Sequence, residues 1–500
     1  MATPAVPHDS RLVETHTAFV LLLHDRVLKW KKPVDLGFLD FRTREAREAA
    51  CQAEVVLNRR LAPDVYLGVD TLVDGGGEPV EHVVVMRRLP DDARLSTLIE
   101  QGRDVTSDVA RLAKLLATFH SRCPAVPDPE AIAGRRRLLE LWHTTLAALQ
   151  DLAPLGVDPS DLNRAESLVA RWFAGRDALL QDRMRRGAIR DGHGDLLADD
   201  IFCLPDGPRV LDCLDFDETL RQGDVLNDLA MLVMDLERLG APDLGRLLVE
   251  RYVELTGERH PSSLLHLYVA YRAVVRAKVA LLRGAQLPLS EGSAQAAEAR
   301  ALVDLALHHL GRAQPRLVLV GGLPGTGKSA VAEALSTRRG WLVHSSDLVR
   351  GELLIPRLRR YARPWRTAVY GVLLDRARAE LTQGWDVVLD ATWSQAAFRD
   401  QARAVAVDTS SVLVELNCSS PAVVAERRLV ARPVGHPSEA GPEVRRVLEA
   451  SSDPWPTATI VDTSGPVEEA LATAERVALA DSWEDLPPER SPMSAGGSDR

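Results

Sequence analysis

The sequence predicts a multidomain chain, α+β in its first half and α/β in its second, and three observations carry that prediction. Residues 12–88 hold short β-rich runs about one helical stretch. From Leu95 to about Arg312, apolar residues recur at three- and four-residue spacing. From Pro315 onward, strand-like apolar runs alternate with helical segments, the pattern of a parallel sheet. A chain of 500 residues is a soft prior of roughly three domains. The predicted divisions are residues 1–90 for an antiparallel sheet with one helix, 91–312 for a helical lobe, 315–480 for the parallel unit, and 481–500 for a disordered tail rich in Pro, Ser, Gly and charge.

In chain order, residues 17–23 and 27–30 are apolar runs separated by His24-Asp25-Arg26, a hairpin pattern with Lys29 inside its second run. Residues 43–60 have helix-forming composition, with Thr43 placed to cap the helix and Glu54 near its middle. Residues 65–73 and 83–87, joined through Asp74-Gly75-Gly76-Gly77, read as a second hairpin. Met86-Arg87-Arg88-Leu89-Pro90 ends that strand in a step a helix does not tolerate, the place for a hinge. Helices are expected over 105–120, 131–149 and 162–180. Residues 201–204 and 209–216, about the turn Pro205-Asp206-Gly207, form another hairpin, and a helix over 224–239 with two more reaches about Arg312. In the last unit, strands are expected at 317–320, 341–343, 387–389, 412–416 and 459–461, with 370–383 the clearest helix. No internal repeat is visible.

Composition narrows the function classes. Hydrophobic content of 46% and charged content of 26% suit a soluble globular protein. A net charge of −10 argues against a broad nucleic-acid or anionic-membrane surface. The cysteines Cys51, Cys123, Cys203, Cys213 and Cys418 include no C-x-x-C pair, which suggests neither a disulfide framework nor a zinc site. No run is long enough to span a bilayer and the start lacks a signal-peptide pattern, so a cytoplasmic location is expected.

The strongest motif is Gly322-Leu323-Pro324-Gly325-Thr326-Gly327-Lys328-Ser329, which satisfies G-x-x-x-x-G-K-[ST] directly after the apolar run Leu317-Val318-Leu319-Val320. A loop that leaves a strand and opens a helix turns backbone N–H groups and the positive end of the helix dipole onto nucleotide phosphates. Lys328 is expected to reach the β and γ phosphates, and the Ser329 hydroxyl to hold Mg²⁺. Asp347 and Arg350 follow the second strand, and an Asp at a strand's carboxyl end lies in the crevice where α/β sheets bind ligands. Asp390 closes the third strand, where a carboxylate can hold the Mg²⁺ shell. Arg399, Arg428 and Arg432 fall on later helical stretches, and the four-residue spacing of Arg428 and Arg432 puts them on one helix face. This half resembles P-loop kinases of the polynucleotide-kinase and gluconate-kinase neighbourhood. The resemblance implies that Asp347 activates an acceptor hydroxyl, that Arg350 holds the acceptor, and that Arg428 and Arg432 form a lid over the transferring phosphoryl group. The plain alternative for Asp347 is a cap of a helix starting at Leu348.

In the first half, His193-Gly194-Asp195, Asp200, Asp212 and Asp215 are carboxylates spaced as phosphoryl transfer needs: one to accept the hydroxyl proton, others to hold Mg²⁺. This resembles the aminoglycoside phosphotransferase and choline kinase branch of the protein-kinase-like fold, whose catalytic loop reads H-G-D-x-x-x-x-N. The resemblance implies that Asp195 is the base, that Lys29 orients phosphates and that Glu54 orients Lys29. Asp200 stands where that family has Asn, and no Gly-rich loop precedes the early strands. The metal carboxylate is left open between Asp212 and Asp215, with spacing to Gly223-Asp224 slightly favouring Asp215. Lys29, beside Lys31 and Lys32, equally fits a solvated basic face, and the acidic set equally fits turn caps.

The chain as a whole resembles a bacterial two-part family with an aminoglycoside-phosphotransferase-like lobe fused to a P-loop ATPase or kinase, and Lys31-Lys32-Pro33-Val34-Asp35-Leu36-Gly37-Phe38-Leu39-Asp40-Phe41 looks like its signature. The expected activity is transfer of the ATP γ-phosphoryl group, with Mg²⁺, to a hydroxyl of a small molecule, the P-loop half being the surer catalyst. The acidic chain disfavours a polynucleotide acceptor. The rivals are an ATP-binding regulatory switch with a non-catalytic first lobe, and aminoglycoside or sugar phosphorylation by the first half, which for an aminocyclitol needs acidic residues facing the cleft.

Overall fold

The computed structural model describes residues 10–15, 17–35, 40–287, 292–353, 362–433, 438 and 440–480. The disordered tail expected over 481–500 and part of the 31–41 signature lie outside the described residues. Contacts separate unit 1 (Met1–Glu166, Leu180–His260, Leu265–Leu307) from unit 2 (Ser167–Leu179, Pro261–Leu264, His308–Arg500).

Unit 1 opens with strands β1 (Arg11–Glu14), β2 (Ala18–Leu22) and β3 (Arg26–Lys31), helix α1 (Arg44–Asn58), and strands β4 (Tyr66–Val73) and β5 (Pro79–Arg87). They form one antiparallel sheet in the order β1-β2-β3-β5-β4. Thr43 caps α1 by accepting from the Ala46 N–H at 3.2 Å. Cys51 and Val55 of α1 pack on Val84 and Met86 of the sheet. Strand β1 is an addition to the expected sheet: it lies at the edge, largely exposed, so its sequence carries no apolar alternation to reveal it.

The helical part follows as α2 (Leu95–Glu100), α3 (Thr106–Arg122), α4 (Pro129–Ala133), α5 (Arg135–Leu152), α6 (Pro159–Ala174) and α7 (Asp177–Arg185). Two expected helices are each broken. Gly134, with extended backbone, separates α4 from α5, and Gly175-Arg176 separates α6 from α7. Next come β6 (Ile189–Asp191), β7 (Ile201–Leu204), β8 (Gly207–Val210), the short helix α8 (Glu218–Arg221), β9 (Gln222–Asp224) and α9 (Val225–Arg238). β7 and β8 make the expected hairpin, but β8 stops at Val210 rather than 216. The residues beyond leave the ladder, and Asp212 takes a positive φ of 60°. β6 pairs with β9 through Ile189–Asp224, a ladder too short to show in the sequence. Three helices, not two, complete this stretch: α10 (Pro242–Thr256), α11 (Ser262–Ala285) and α12 (Ser293–Ala313).

Unit 2 continues with β10 (Arg316–Gly321), α13 (Lys328–Arg339), β11 (Leu342–Ser345), α14 (Ser346–Glu352), α15 (Arg363–Thr382), β12 (Val387–Asp390), α16 (Ala396–Asp408), β13 (Val412–Ser419), α17 (Ala422–Val430), α18 (Pro442–Ala450), β14 (Thr459–Asp462) and α19 (Val467–Leu479). All five strands are parallel, in the order β11-β12-β10-β13-β14. β10 and β12 are buried along their whole length, which is why they read as unbroken apolar runs. Leu317, Leu319 and Leu389 face one hydrophobic cluster; Val318, Val320 and Val388 face the other. Within the same unit, the buried Arg176 guanidinium donates to the carbonyls of Gly175 and Thr409, each at 2.8 Å.

Candidate active sites

In unit 2 the phosphate loop leaves the carboxyl end of β10 and becomes α13. Three of its glycines are required by the backbone: Gly322, Gly325 and Gly327 have φ of 136°, 84° and 85°. A side chain at Gly325 would also meet the Ala425 carbonyl oxygen at 2.5 Å. Arg445 donates to the Pro324 carbonyl at 3.0 Å, and the Thr463 hydroxyl bonds the carbonyls of Thr326 and, at 2.9 Å, Ser419. These two braces belong to α18 and to the end of β14, and the sequence reading missed both.

Lys328 is the first residue of α13 and is buried. The Ser329 hydroxyl donates to Asp390 Oδ2 at 2.7 Å. Burial raises the Asp390 pKa, against the pull of Lys328, and Asp390 Oδ1 is buried without a hydrogen-bond partner among the described residues. A hydroxyl and a carboxylate in contact, with one carboxylate oxygen left over, fit a phosphate-bound Mg²⁺, which needs only one or two protein ligands. Among the described residues, no three His, Cys, Asp or Glu side chains form a ready metal cage.

Asp347 lies in the first turn of α14 and pairs with Arg350 one turn later. The helix cap is Ser345, whose hydroxyl accepts from the Asp347 N–H at 3.3 Å, so the expected capping role of Asp347 is corrected. Asp347 and Arg350 line a small cavity with Lys328, Arg366 and Tyr370; at about 20 Å³ it has room for little more than a water molecule. Arg428 reaches the phosphate loop: it donates to the Thr463 carbonyl at 2.7 Å, and its Nη1 would lie 3.5 Å from a Cβ at Gly327. Arg432 does not share its helix face, because α17 ends at Val430; it donates instead to the carbonyls of Ser438 and Ala440. Arg399 is likewise a brace, bonded to the carbonyls of Trp393 and Pro454.

In unit 1 the period of a strand puts Lys29 and Lys31 of β3 on one face. Both reach Glu54 of α1, at 2.9 Å each. Lys29 also meets Asp212 at 3.0 Å, and Lys31 meets Asp215 at 2.6 Å. The alternative of a solvated basic face is thereby corrected for these two lysines: Lys31 is buried and the Lys29 side chain only 18% exposed. Burial disfavours the Lys29 ammonium, but Asp212 and Glu54 outweigh it and hold its pKa well above the usual value. Asp212 is drawn below the carboxylate range, chiefly by Lys29.

Asp195 follows Gly194, whose φ is 88°. Its loop hangs from one buried carboxylate, Asp228 of α9, which accepts the N–H groups of His193 and Gly194 at 2.7 and 2.8 Å and meets His120 Nε2 at 3.1 Å. His193 is fully buried, and burial pushes its pKa down to about 4. Burial raises the pKa of Asp195, while Arg276 and Arg272 oppose the rise. Burial also raises Asp200 well above its usual value, with further repulsion from Asp212 and Asp195. Carboxylates that repel one another in a single cavity fit a divalent cation. Lys29, Asp195, Asp200, Asp212 and Asp215 all line one cavity of about 1120 Å³. The sequence reading missed Asp228, His120 and the bound role of Lys31. Two aspartates, Asp228 and Asp235, inside the largely apolar helix of residues 225–236 were the available signal, since a buried charge requires partners.

Residues 38–264 match the model of the "Phosphotransferase enzyme family", and residues 317–454 that of an "AAA domain". The first match begins after β3, so Lys29 and Lys31 lie outside it. The chain is 41% identical over 480 residues to "Uncharacterized protein Rv2004c" of Mycobacterium tuberculosis (strain ATCC 25618 / H37Rv), covering 93% of this chain and 94% of that protein. The same figures hold for "Uncharacterized protein Mb2027c" of Mycobacterium bovis. Among solved structures, the GDP and kanamycin complex of APH(2")-IIia is 19% identical, covering 59% of this chain and 93% of that one, with a TM-score of 0.36. A gluconokinase from Sinorhizobium meliloti 1021 is 21% identical, covering 35% of this chain and 98% of that one, with a TM-score of 0.25.

Proposed function

Since the chain belongs to the bacterial family that joins an aminoglycoside-phosphotransferase-like half to a P-loop kinase-like domain, we propose that it is an ATP- and Mg²⁺-dependent phosphotransferase whose acceptor is a hydroxyl of a small molecule. The observation that carries this reading is the placement of Lys29 Nζ between Glu54 and Asp212, in the cavity that Asp195 also lines and that is large enough for nucleotide and acceptor. Lys29, aligned by Glu54, would bind phosphate oxygens, and Asp195 would take the proton of the attacking hydroxyl. Asp212 is favoured over Asp215 as the metal carboxylate, because it is near enough to Asp200 to raise that group's pKa, whereas the more buried Asp215 is held by Lys31. Bound Mg²⁺ would neutralise charge on the phosphates, held in this cleft by Asp200 and Asp212.

A second centre is favoured by the contact of Ser329 with Asp390 beneath the phosphate loop. There Lys328 and Arg428 would neutralise phosphate charge, and Asp347, drawn from its pairing with Arg350, would prepare an acceptor. Read from its motifs alone, the chain favours this half as the catalyst; the room for an acceptor moves the weight to unit 1.

The test is a phosphoryl-transfer screen of the full chain with γ-labelled ATP against sugars, aminoglycosides, nucleosides and oligonucleotide 5′ ends. It is repeated with Asp195→Asn and with Asp347→Asn. Loss of transfer in Asp195→Asn with nucleotide affinity intact supports unit 1 as the catalyst, and the same loss in Asp347→Asn supports unit 2. Nucleotide binding without transfer to any acceptor would leave the regulatory switch as the better account.

A further inference from the structure

One wall of the unit 1 cavity is built by α5 and α11, and its charge is positive. Arg137 stands on α5 beside Leu138, Leu141 and Thr145, one face of that helix. From α11, Arg272, Arg276, Lys278 and Arg283 line the same cavity. Arg272 is fixed beside the Asp195 loop, donating to the Gly194 carbonyl at 3.0 Å and to Asn227 Oδ1 at 3.0 Å. Arg276, one turn further, is near enough to oppose the raised pKa of Asp195. Arg137, Arg276, Lys278 and Arg283 have no carboxylate partner among the described residues. Lys278 is half-buried, and burial lowers its pKa with no anion to offset the cost.

The carboxylates of the cavity do not balance this wall. Asp212 and Asp215 are paired with Lys29 and Lys31, and the buried Asp224 is bound by Arg183 through two bonds of 2.7 and 2.8 Å. Glu14 is paired with Lys32 and Asp91 with Arg94, which leaves Asp195 and Asp200, assigned above to proton transfer and Mg²⁺. Unpaired, part-buried cations around a cavity are costly until an anion fills it.

The geometry points to an anionic acceptor: a small alcohol that already carries a phosphate or carboxylate, gripped by Arg137, Arg276 and Lys278 with its hydroxyl turned to Asp195. This rests on the assignment of unit 1 as a phosphotransferase. The acceptor O–H would give its proton to Asp195, and its oxygen would form a bond to Pγ. The bond from Pγ to the β,γ-bridging oxygen would break, and ADP would leave with that electron pair. A polycationic aminoglycoside is repelled by the same wall.

The test uses the full chain with Lys328→Ala, so that turnover reports unit 1, and γ-labelled ATP with matched acceptors: glucose against glucose 6-phosphate, glycerol against glycerol 3-phosphate and glycerate, and kanamycin as the cation. The unaltered chain and Asp195→Asn are run in parallel, and their difference isolates unit 1 without relying on Lys328→Ala. The expected result is a kcat/KM for anionic acceptors higher than for their neutral twins by about tenfold or more. Phosphate twins outperforming carboxylate twins, or the reverse, supports the inference and names the anion. Arg276→Glu should raise KM for the anionic acceptor by about tenfold and reduce the discrimination, with Arg276→Lys restoring it. Preference for neutral or cationic acceptors overturns the inference and leaves the unit 1 reading standing. No transfer to any acceptor, with turnover indifferent to Asp195→Asn, overturns both.

Discussion

The carboxylate of Asp228 holds the backbone N–H of His193 at 2.7 Å and thereby suspends the loop that presents Asp195. The same carboxylate takes the Gly194 N–H and a ring nitrogen of His120, all of it out of solvent. Removing it with Asp228→Ala strands two backbone donors in the interior. The expected cost is about 3 kcal/mol of stability, with a further loss of unit 1 turnover because Asp195 loses its anchor. Urea unfolding and the transfer assay check the two effects separately.

His193 supplies a dependence on pH. An unfolded histidine binds its proton near the ordinary value of 6.5, whereas in the fold His193 does so only at about 4. Between those values the unfolded chain holds more protons, so stability falls as pH falls through that window and is unaffected by this group above it. The full effect approaches about 3 kcal/mol at the low end. Thermal melts from pH 7 to 4.5 should show a shallower slope for His193→Gln than for the unaltered chain.

At the phosphate loop, Gly325→Ala should be disruptive although it adds one methyl group. The residue has a φ of 84° and its new Cβ would meet a carbonyl oxygen at 2.5 Å. A penalty of about 2 kcal/mol or more is expected, with loss of nucleotide binding in unit 2. A melt with and without ATP reads both quantities.

Lys328→Ala and Asp390→Asn should separate phosphate binding from metal binding. The first should weaken ATP binding in unit 2 by about a hundredfold. The second, by spoiling the Ser329–Asp390 pair, should make ATP affinity there insensitive to Mg²⁺. Calorimetry on chains also carrying Lys29→Ala, which weakens nucleotide binding in unit 1, isolates these effects.

Much of this was legible before any coordinates. The loop from Gly322 to Ser329 announces itself because only glycine tolerates the positive φ it needs, and because a fully buried strand must be an apolar run. Thr43 and Asp390 are likewise readable from local pattern, whereas Lys29 and Glu54 stand out only through a family resemblance. Other features were hidden because they depend on partners far apart in the chain. The choice between Asp212 and Asp215 as neighbour of Lys29 depends on which carboxylate meets which lysine across more than 180 residues. The break in the helix pattern at Gly134, the position of Arg432 beyond α17 and the bracing role of Arg399 are decided by packing against neighbours.

The sequence by itself determined the two building plans, the order of their strands along the chain and the presence of an anion-binding loop, since these follow from periodicity and backbone chemistry within a few residues. Only the tertiary structure decided which charges neutralise each other and which remain unpaired around the unit 1 cavity. Coulomb energy depends on distance and burial, and neither is written in the spacing of residues along a chain.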